Sequence, residues 1–223
     1  RKESSAASDV YKRQKGDNVK SAAENFSHQV SQAFGKKRKK SKNLAIDKIM
    51  LDGFKSLESR DFKIENGEKI MEHARSIKSA EEIKAMRCSI SACETSIHVM
   101  EKETKPGMTE NDIWSILHSE NIKRGGEWIE TRLLSSGTKT NPWFQECGSR
   151  ILQKNEIVAF DTDLVGCYSM CTDISRTWWI GDQEPTKEMK QDYQIALEHI
   201  QKNAELVAPG VHFKDLTLSL IHI

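Results

Sequence analysis

The hydrophobic period of the chain changes near residue 125, from a helical to a strand pattern. Before that point an apolar stripe recurs every three or four residues from Ile83 to Met100, and a second helical segment follows Thr109. Short alternating segments come next, and a third helix begins at Thr186 and ends before Pro209. Strands grouped between helices predict an α+β fold with an antiparallel sheet. The strands are predicted over residues 128–134, 151–152, 156–165 and 168–180, and turns are predicted at residues 135–137 and 141–142.

The predicted elements divide the chain into a small N-terminal part and a larger C-terminal part. We predict an incomplete α/β domain over residues 18–75 and the main domain over residues 76–218. Residues 1–17 carry no hydrophobic period and are expected to be a disordered or foreign tail, as are residues 219–223. A basic run at residues 36–42 is of a kind found in nuclear signals, nucleic-acid patches and solvated linkers. A linker is favoured because no aromatic residue interrupts the run.

Charge and cysteine usage exclude several classes of protein. The 34 basic and 33 acidic residues leave a net charge of +1, so no overall field favours nucleic acid or a membrane surface. The sequence has no apolar stretch near the roughly 18 residues that a membrane span needs. The five cysteines include no CxxC pair, which favours free thiols over a zinc site or disulfides. The expected location is therefore the cytoplasm.

Three aspartates lie in two successive predicted strands in the middle of the chain. An apolar run leads directly into Asp161 and Asp163, which stand two residues apart and so share one face of a strand. Gly166 permits a turn, after which a second strand delivers Asp173. If the two strands pair, three carboxylates converge, and such a group is stabilised by divalent cations. The alternative is that these are ordinary turn residues at strand ends, because a DxD pattern alone is weak.

The segment that carries these aspartates resembles the pita-bread superfamily of methionine aminopeptidase, prolidase and creatinase. The resemblance rests on the apolar strand before Asp161 and on the sequence Cys171-Thr-Asp-Ile-Ser-Arg176. It also rests on the helix sequence Arg75-Ser-Ile-Lys-Ser-Ala-Glu-Glu-Ile-Lys-Ala-Met-Arg87 and on the turns after Pro106 and Ala208. The resemblance implies a partial pita-bread domain that follows an incomplete creatinase-like N-terminal domain.

Four further segments are similar to the dimethylsulfoniopropionate (DMSP) lyase branch of this superfamily. They are residues 112–121, 124–134, 141–148 and 173–183. In the peptidases the two metal-binding aspartates stand eleven residues apart, whereas Asp163 and Asp173, which match them, stand ten apart. The additional acid at Asp161 agrees with the lyase branch, where it is a further metal-site carboxylate. Both differences favour a lyase over an ordinary peptidase.

The resemblance implies a metal-dependent lyase that cleaves DMSP, a small molecule, to dimethyl sulfide and acrylate by proton abstraction and β-elimination. The metal ligands would be Asp161, Asp163 and Asp173 in a binuclear divalent centre, with iron favoured over zinc, manganese or cobalt. The resemblance also implies a homodimer. Two alternatives stay open: a hydrolase like the Xaa-Pro peptidases or creatinase, and a non-catalytic pita-bread binding protein.

The rest of the implied site cannot be matched in this sequence. In the superfamily a histidine, two glutamates and the catalytic base follow the third helix, and His212 and His222 do not stand at the required place. No catalytic residue is assigned, and the chain is interpreted as a C-terminally truncated fragment, which is expected to be inactive alone. Aromatic faces suit a sulfonium ion, but core packing is the commoner role for tryptophan, so none is assigned. The candidates are Trp128, Trp143, Trp178 and Trp179.

Overall fold

The computed structural model describes residues 18–34 and 42–222, which form two compact units divided between Ser79 and Ala80. The first unit contains three helices and a parallel pair of strands, in which Leu44 lies opposite Ile64. Its buried side chains include Leu57 and Phe62. In chain order the elements are α1 (Val19–Phe34), β1 (Asn43–Ile46), α2 (Leu51–Glu58), β2 (Lys63–Asn66) and α3 (Glu68–Ser76). The expected tail at residues 1–17 and most of the basic run, residues 36–41, lie outside the described residues.

The second unit contains four α-helices within the described residues, and two of them begin after a threonine whose side chain caps the helix. The Thr109 side chain accepts a hydrogen bond from the Asp112 N–H at 3.1 Å, and the Asp112 carboxylate accepts one from the Thr109 N–H at 2.8 Å. The Thr186 hydroxyl likewise accepts from the Met189 N–H. The helices are α4 (Ala80–Glu103), α5 (Glu110–Lys123), α6 (Lys187–Leu206) and α7 (Phe213–His222). Residues 219–222 of the predicted C-terminal tail fall within α7, and residue 223 lies outside the described residues.

The apolar stripe of α4 is buried along part of its length. Cys93, Ile97 and Met100 are at most 4% exposed, as the stripe predicts. Ile83 and Ile90, nearer the start of the helix, are 42% and 39% exposed. The stripe therefore packs against α5 and the sheets through its C-terminal half within this unit.

Six further strands follow α5, and they are β3 (Trp128–Ile129), β4 (Leu134–Ser136), β5 (Glu156–Phe160), β6 (Asp163–Val165), β7 (Cys171–Asp173) and β8 (Arg176–Ile180). They form two three-stranded antiparallel sheets with the strand orders β3–β6–β7 and β4–β5–β8. The α+β prediction with antiparallel pairing is confirmed, but three predicted long strands are each divided in two. The chain passes from one sheet to the other at residues 130–133, 161–162 and 174–175, which breaks the strands at matching places.

Two shorter predictions differ from the structure. Ser135 and Ser136 were expected in a turn, but both are fully buried in β4 and pair with β5. Residues 151–152 form no strand, and Ile151 makes an isolated bridge to Thr109. Both differences arise from contacts with distant parts of the chain, which local sequence patterns do not record.

The core of this unit lies between the helices and both sheets. Phe160 is 1% exposed and makes edge-to-face contacts with Trp114 and Trp178, at centroid distances of 6.5 and 5.9 Å. Leu164, the central residue of β6, is completely buried. Phe160, immediately before the break at 161–162, and Leu164, the second strand residue after it, are thus fixed by core packing. None of the described helices is both long enough and apolar enough to cross a membrane.

Candidate metal centre

The β6–β7 hairpin brings two of the predicted metal ligands together. Asp163 and Asp173 are directly opposite each other in the antiparallel register, so the strand pairing on which their convergence depends is present. The Thr131 hydroxyl donates a hydrogen bond of 2.8 Å to Oδ2 of Asp163. At the tip of the hairpin, the Ser89 hydroxyl donates to the Met170 carbonyl oxygen at 2.8 Å, which attaches the hairpin to α4.

Asp161 reaches the same place from the break between β5 and β6. Its N–H donates to the Leu133 carbonyl oxygen at 2.8 Å, and its Oδ1 accepts from the Ser175 hydroxyl at 2.7 Å. Asp161 is not in a strand, so the alternation that predicted a shared face with Asp163 does not apply. Crossing between sheets, rather than strand alternation, delivers this third carboxylate. We call Asp161, Asp163 and Asp173 the carboxylate cluster.

The electrostatics of the carboxylate cluster are those of an uncompensated negative site. Partial burial raises the pKa of Asp173, and the negative charges of Asp161 and Asp163, together with a hydrogen bond to Asp161, raise it further. Asp173 itself is exposed and the other two are half-buried, so the cluster opens to solvent on one side. Carboxylates held this way favour a proton or a cation.

The donor set suits a divalent cation, although the side chains are not closed around one. Carboxylate oxygens are suitable ligands for hard divalent ions. Within residues 18–34 and 42–222, no group of three or more histidine, cysteine, aspartate or glutamate side chains is spaced to enclose a metal. Hydrogen bonds from Thr131 and Ser175 engage one oxygen each of Asp163 and Asp161. The charges therefore match a cation, and the cluster supplies part of a coordination shell.

His212 and the four candidate tryptophans are not members of the carboxylate cluster. His212 lies before α7, where its Nδ1 accepts the Lys214 N–H at 3.0 Å. Trp178 packs against Phe160 in the core, and the Trp179 Nε1–H donates to the Gln183 carbonyl oxygen. Trp128 and Trp143 are 50% and 39% exposed.

A fully buried glutamate, Glu110, is a feature that the sequence analysis missed. Its Oε1 accepts from the Ser136 N–H at 2.9 Å and from the Ser136 hydroxyl at 2.8 Å. Its Oε2 accepts from Lys139 Nζ at 2.7 Å and from the Gly148 N–H at 3.1 Å. We call Glu110, Ser136, Lys139 and Gly148 the Glu110 network. Glu110 occupies the first turn of α5, where an acidic residue is ordinary, so only its distant partners distinguish it.

Comparison with known proteins identifies the class to which this site belongs. Residues 84–221 match the metallopeptidase family M24, and the chain belongs to this family. Members of the family depend on a metal, usually a binuclear centre. The fold is similar to that of an X-Pro aminopeptidase from Thermotoga maritima, with a TM-score of 0.73 and 21% identity over 86% of this chain and 53% of that chain. It is also similar to that of a prolidase from Pyrococcus horikoshii, with a TM-score of 0.73 and 19% identity over 86% of this chain and 54% of that chain. The predicted pita-bread fold is confirmed.

Two curated relatives are much more similar to this chain in sequence than these two solved structures are. The chain is 49% identical over 221 residues to a protein of Roseobacter denitrificans named dimethylsulfoniopropionate lyase DddP, covering 97% of this chain and 49% of the relative. It is 50% identical over 214 residues to the protein of the same name from Roseovarius nubinhibens, covering 94% and 48%. The chain thus spans about half the length of the curated relatives it matches, and the predicted resemblance to the DMSP lyase branch is confirmed.

Proposed function

We propose that this chain contributes part of the active site of a metal-dependent lyase that cleaves DMSP to dimethyl sulfide and acrylate. The carboxylate cluster carries the proposal, because the Asp163–Asp173 pairing and the uncompensated charge provide a place for a cation. Identity of about half to two relatives named DMSP lyase supports the choice of substrate within the family. Fold similarity to peptidases at 19–21% identity does not distinguish between substrates.

The proposed reaction is a β-elimination that needs a base and an electron sink. The base removes a proton from the carbon next to the DMSP carboxylate, and the new C=C bond forms as the C–S bond breaks. The sulfur keeps the electron pair of that bond, so a neutral dimethyl sulfide leaves and acrylate remains. A divalent metal would bind the substrate carboxylate and increase the acidity of the neighbouring C–H.

The residues of this chain would bind the cation and border the substrate. Asp161, Asp163 and Asp173 are the proposed ligands, and Thr131 and Ser175 orient two of them through hydrogen bonds. The proposed centre is binuclear, because a cluster of three carboxylates can contribute ligands to two ions. Iron is proposed as the metal from the resemblance to the lyase branch. Selectivity among iron, zinc, manganese and cobalt is determined by measuring the metal content of the purified protein.

The proposal is tested in a hybrid protein in which this chain replaces the matching half of the Roseobacter denitrificans relative. We expect dimethyl sulfide in the headspace when the hybrid is supplied with DMSP, and a loss of activity of at least about a thousandfold for Asp163→Asn or Asp173→Asn. Asp182→Asn is the matched control, because Asp182 is exposed at the surface, where its carboxylate lies 3.6 Å from Lys154 Nζ.

Three outcomes of this experiment contradict the proposal in different ways. Release of proline from an Xaa-Pro dipeptide, without dimethyl sulfide from DMSP, would identify a hydrolase. Neither product, together with no bound metal, would identify a non-catalytic binding protein. Full activity of both aspartate variants would show that the carboxylate cluster is not the metal site.

We also propose that the protein is cytoplasmic and acts as a homodimer. All five cysteines are free thiols, which is usual in a reducing compartment. The dimer follows from the similarity to the lyase relatives. Light scattering of the hybrid tests the dimer, and a monomeric mass would contradict it. Fractionation of cells that produce the hybrid tests the location, and recovery in the membrane or exported fraction would contradict it.

A further inference from the structure

We propose that Glu110 is a positioning residue that fixes segment 136–148 beside the carboxylate cluster and thereby sets the affinity for substrate. Its carboxylate joins the two ends of this segment, because it accepts hydrogen bonds from Ser136 at one end and Gly148 at the other. Lys139, within the segment, donates a further hydrogen bond to this carboxylate, from Nζ to Oε2 at 2.7 Å. A single buried carboxylate thus closes the base of the loop.

Backbone contacts connect the segment to the carboxylate cluster. The Cys147 N–H donates to the Arg132 carbonyl oxygen at 2.8 Å, and Glu146 makes an isolated antiparallel bridge to Leu133. On its other side, the Leu133 carbonyl oxygen accepts the Asp161 N–H at 2.8 Å. Residues 132–133 therefore lie between the segment and the cluster, in contact with both.

Lys139 connects Glu110 to Glu146, the residue that forms the bridge to Leu133. Its Nζ donates to Glu110 Oε2 and also to the Glu146 carbonyl oxygen, at 2.7 and 2.9 Å. The charge of Glu110 is compensated by this lysine and by three further donors, so the buried carboxylate is stable only while the segment stays in place. Loss of the carboxylate would leave those donors without their partner and release the segment.

The segment has aromatic side chains that suit a substrate-binding role. Trp143 is 39% exposed and Phe144 is 76% exposed, the latter with a positive φ of 79°. Exposed aromatic groups on a fixed loop bind a ligand at lower entropic cost than the same groups on a mobile loop. A mobile loop should therefore weaken substrate binding while the reaction at the metal continues.

The first test measures hydrogen exchange of the amides in residues 137–148 in the 223-residue chain. We expect Glu110→Gln to accelerate exchange about tenfold or more, and Lys139→Gln to accelerate it less. Glu120→Gln is the matched control: Glu120 is a second buried glutamate of α5, and its partners Lys123 and Arg124 lie at the end of the same helix. Unchanged exchange in Glu110→Gln, or equal acceleration in Glu120→Gln, would overturn the proposal. If Glu110→Gln does not fold, Lys139→Gln decides the question, with accelerated exchange expected and unchanged exchange overturning it.

The second test uses the hybrid protein and rests on the proposed function. We expect Glu110→Gln to raise KM for DMSP about tenfold, with kcat and metal content within about twofold of the unmodified hybrid. A lower kcat at unchanged KM, or loss of metal, contradicts a positioning role. If the unmodified hybrid releases no dimethyl sulfide, the proposed function fails, while the exchange measurement still decides whether Glu110 holds the segment.

Discussion

The carboxylate cluster and the Glu110 network place acidic side chains in opposite situations within one unit. Glu110 is completely buried but accepts four hydrogen bonds, one of them from a lysine ammonium group. Asp173 is more exposed, yet partial burial and the charges of Asp161 and Asp163 raise its pKa. Burial alone therefore does not decide whether a carboxylate is stable, because the supply of donors and cations does.

This contrast separates residues that support the fold from residues that await a ligand. A compensated carboxylate stabilises the folded chain, and its loss leaves buried donors without partners. A repelling cluster contributes little to the stability of the metal-free chain, and it gains stability when a cation binds. The two regions should therefore respond in opposite ways to mutation and to metal.

The largest expected effect is the loss of stability when Glu110 is replaced. We expect Glu110→Ala to lower the free energy of unfolding by about 2–4 kcal/mol, because Lys139 and buried backbone donors lose their acceptor. Urea denaturation of the metal-free chain measures this change. Asp163→Asn is the comparison, and it should cost less than about 1 kcal/mol because it removes a repelling charge and keeps an acceptor for Thr131. Equal losses for the two variants would remove the distinction between the regions.

The second expected effect is stabilisation of the folded chain by a divalent metal ion, and it should depend on the carboxylate cluster. At a concentration ten times the dissociation constant, Mn²⁺ should raise the free energy of unfolding by about 1.4 kcal/mol, and a chelator should reverse the change. Asp163→Asn should abolish this increase, whereas Glu120→Gln should retain it, since Glu120 pairs with Lys123 and Arg124 instead. Denaturation with and without metal is the measurement, and an undiminished increase in Asp163→Asn would place the cation elsewhere.

Local sequence signals were sufficient for the starts of α5 and α6 and for part of the site. Thr109 and Thr186 mark helix starts because their side chains bond to amides three residues away, an interaction that the sequence itself specifies. The Asp163–Asp173 pairing was predictable for a similar reason, since a turn between two short strands sets the register.

The strand breaks and the Glu110 network could not be predicted in this way. The breaks occur where the chain crosses between two sheets, so the single strand predicted over residues 156–165 is divided into β5 and β6. The donors to Glu110 stand 26 to 38 residues further along the chain, and a glutamate after a capping threonine is common in any helix. Both features depend on tertiary contacts, which local patterns in a single sequence do not reveal.

The smallest expected effect is acid sensitivity of the ion pair that extends the Glu110 network. Arg150 donates to the Ser136 hydroxyl and makes two hydrogen bonds, of 2.7 and 2.6 Å, to the Glu156 carboxylate. Burial raises the pKa of Glu156, but the bonds from Arg150 and from the Gln153 N–H outweigh it, so this pKa lies below the ordinary value. A lowered carboxyl pKa adds stability that is present above the unfolded-state pKa and is lost as the pH falls through the folded-state pKa.

We therefore expect Glu156→Gln to reduce the free energy of unfolding by about 1 kcal/mol at pH 7 and by less at pH 3, measured by urea denaturation. An equal loss at both pH values would show that packing, rather than the charge of Glu156, stabilises this end of the network.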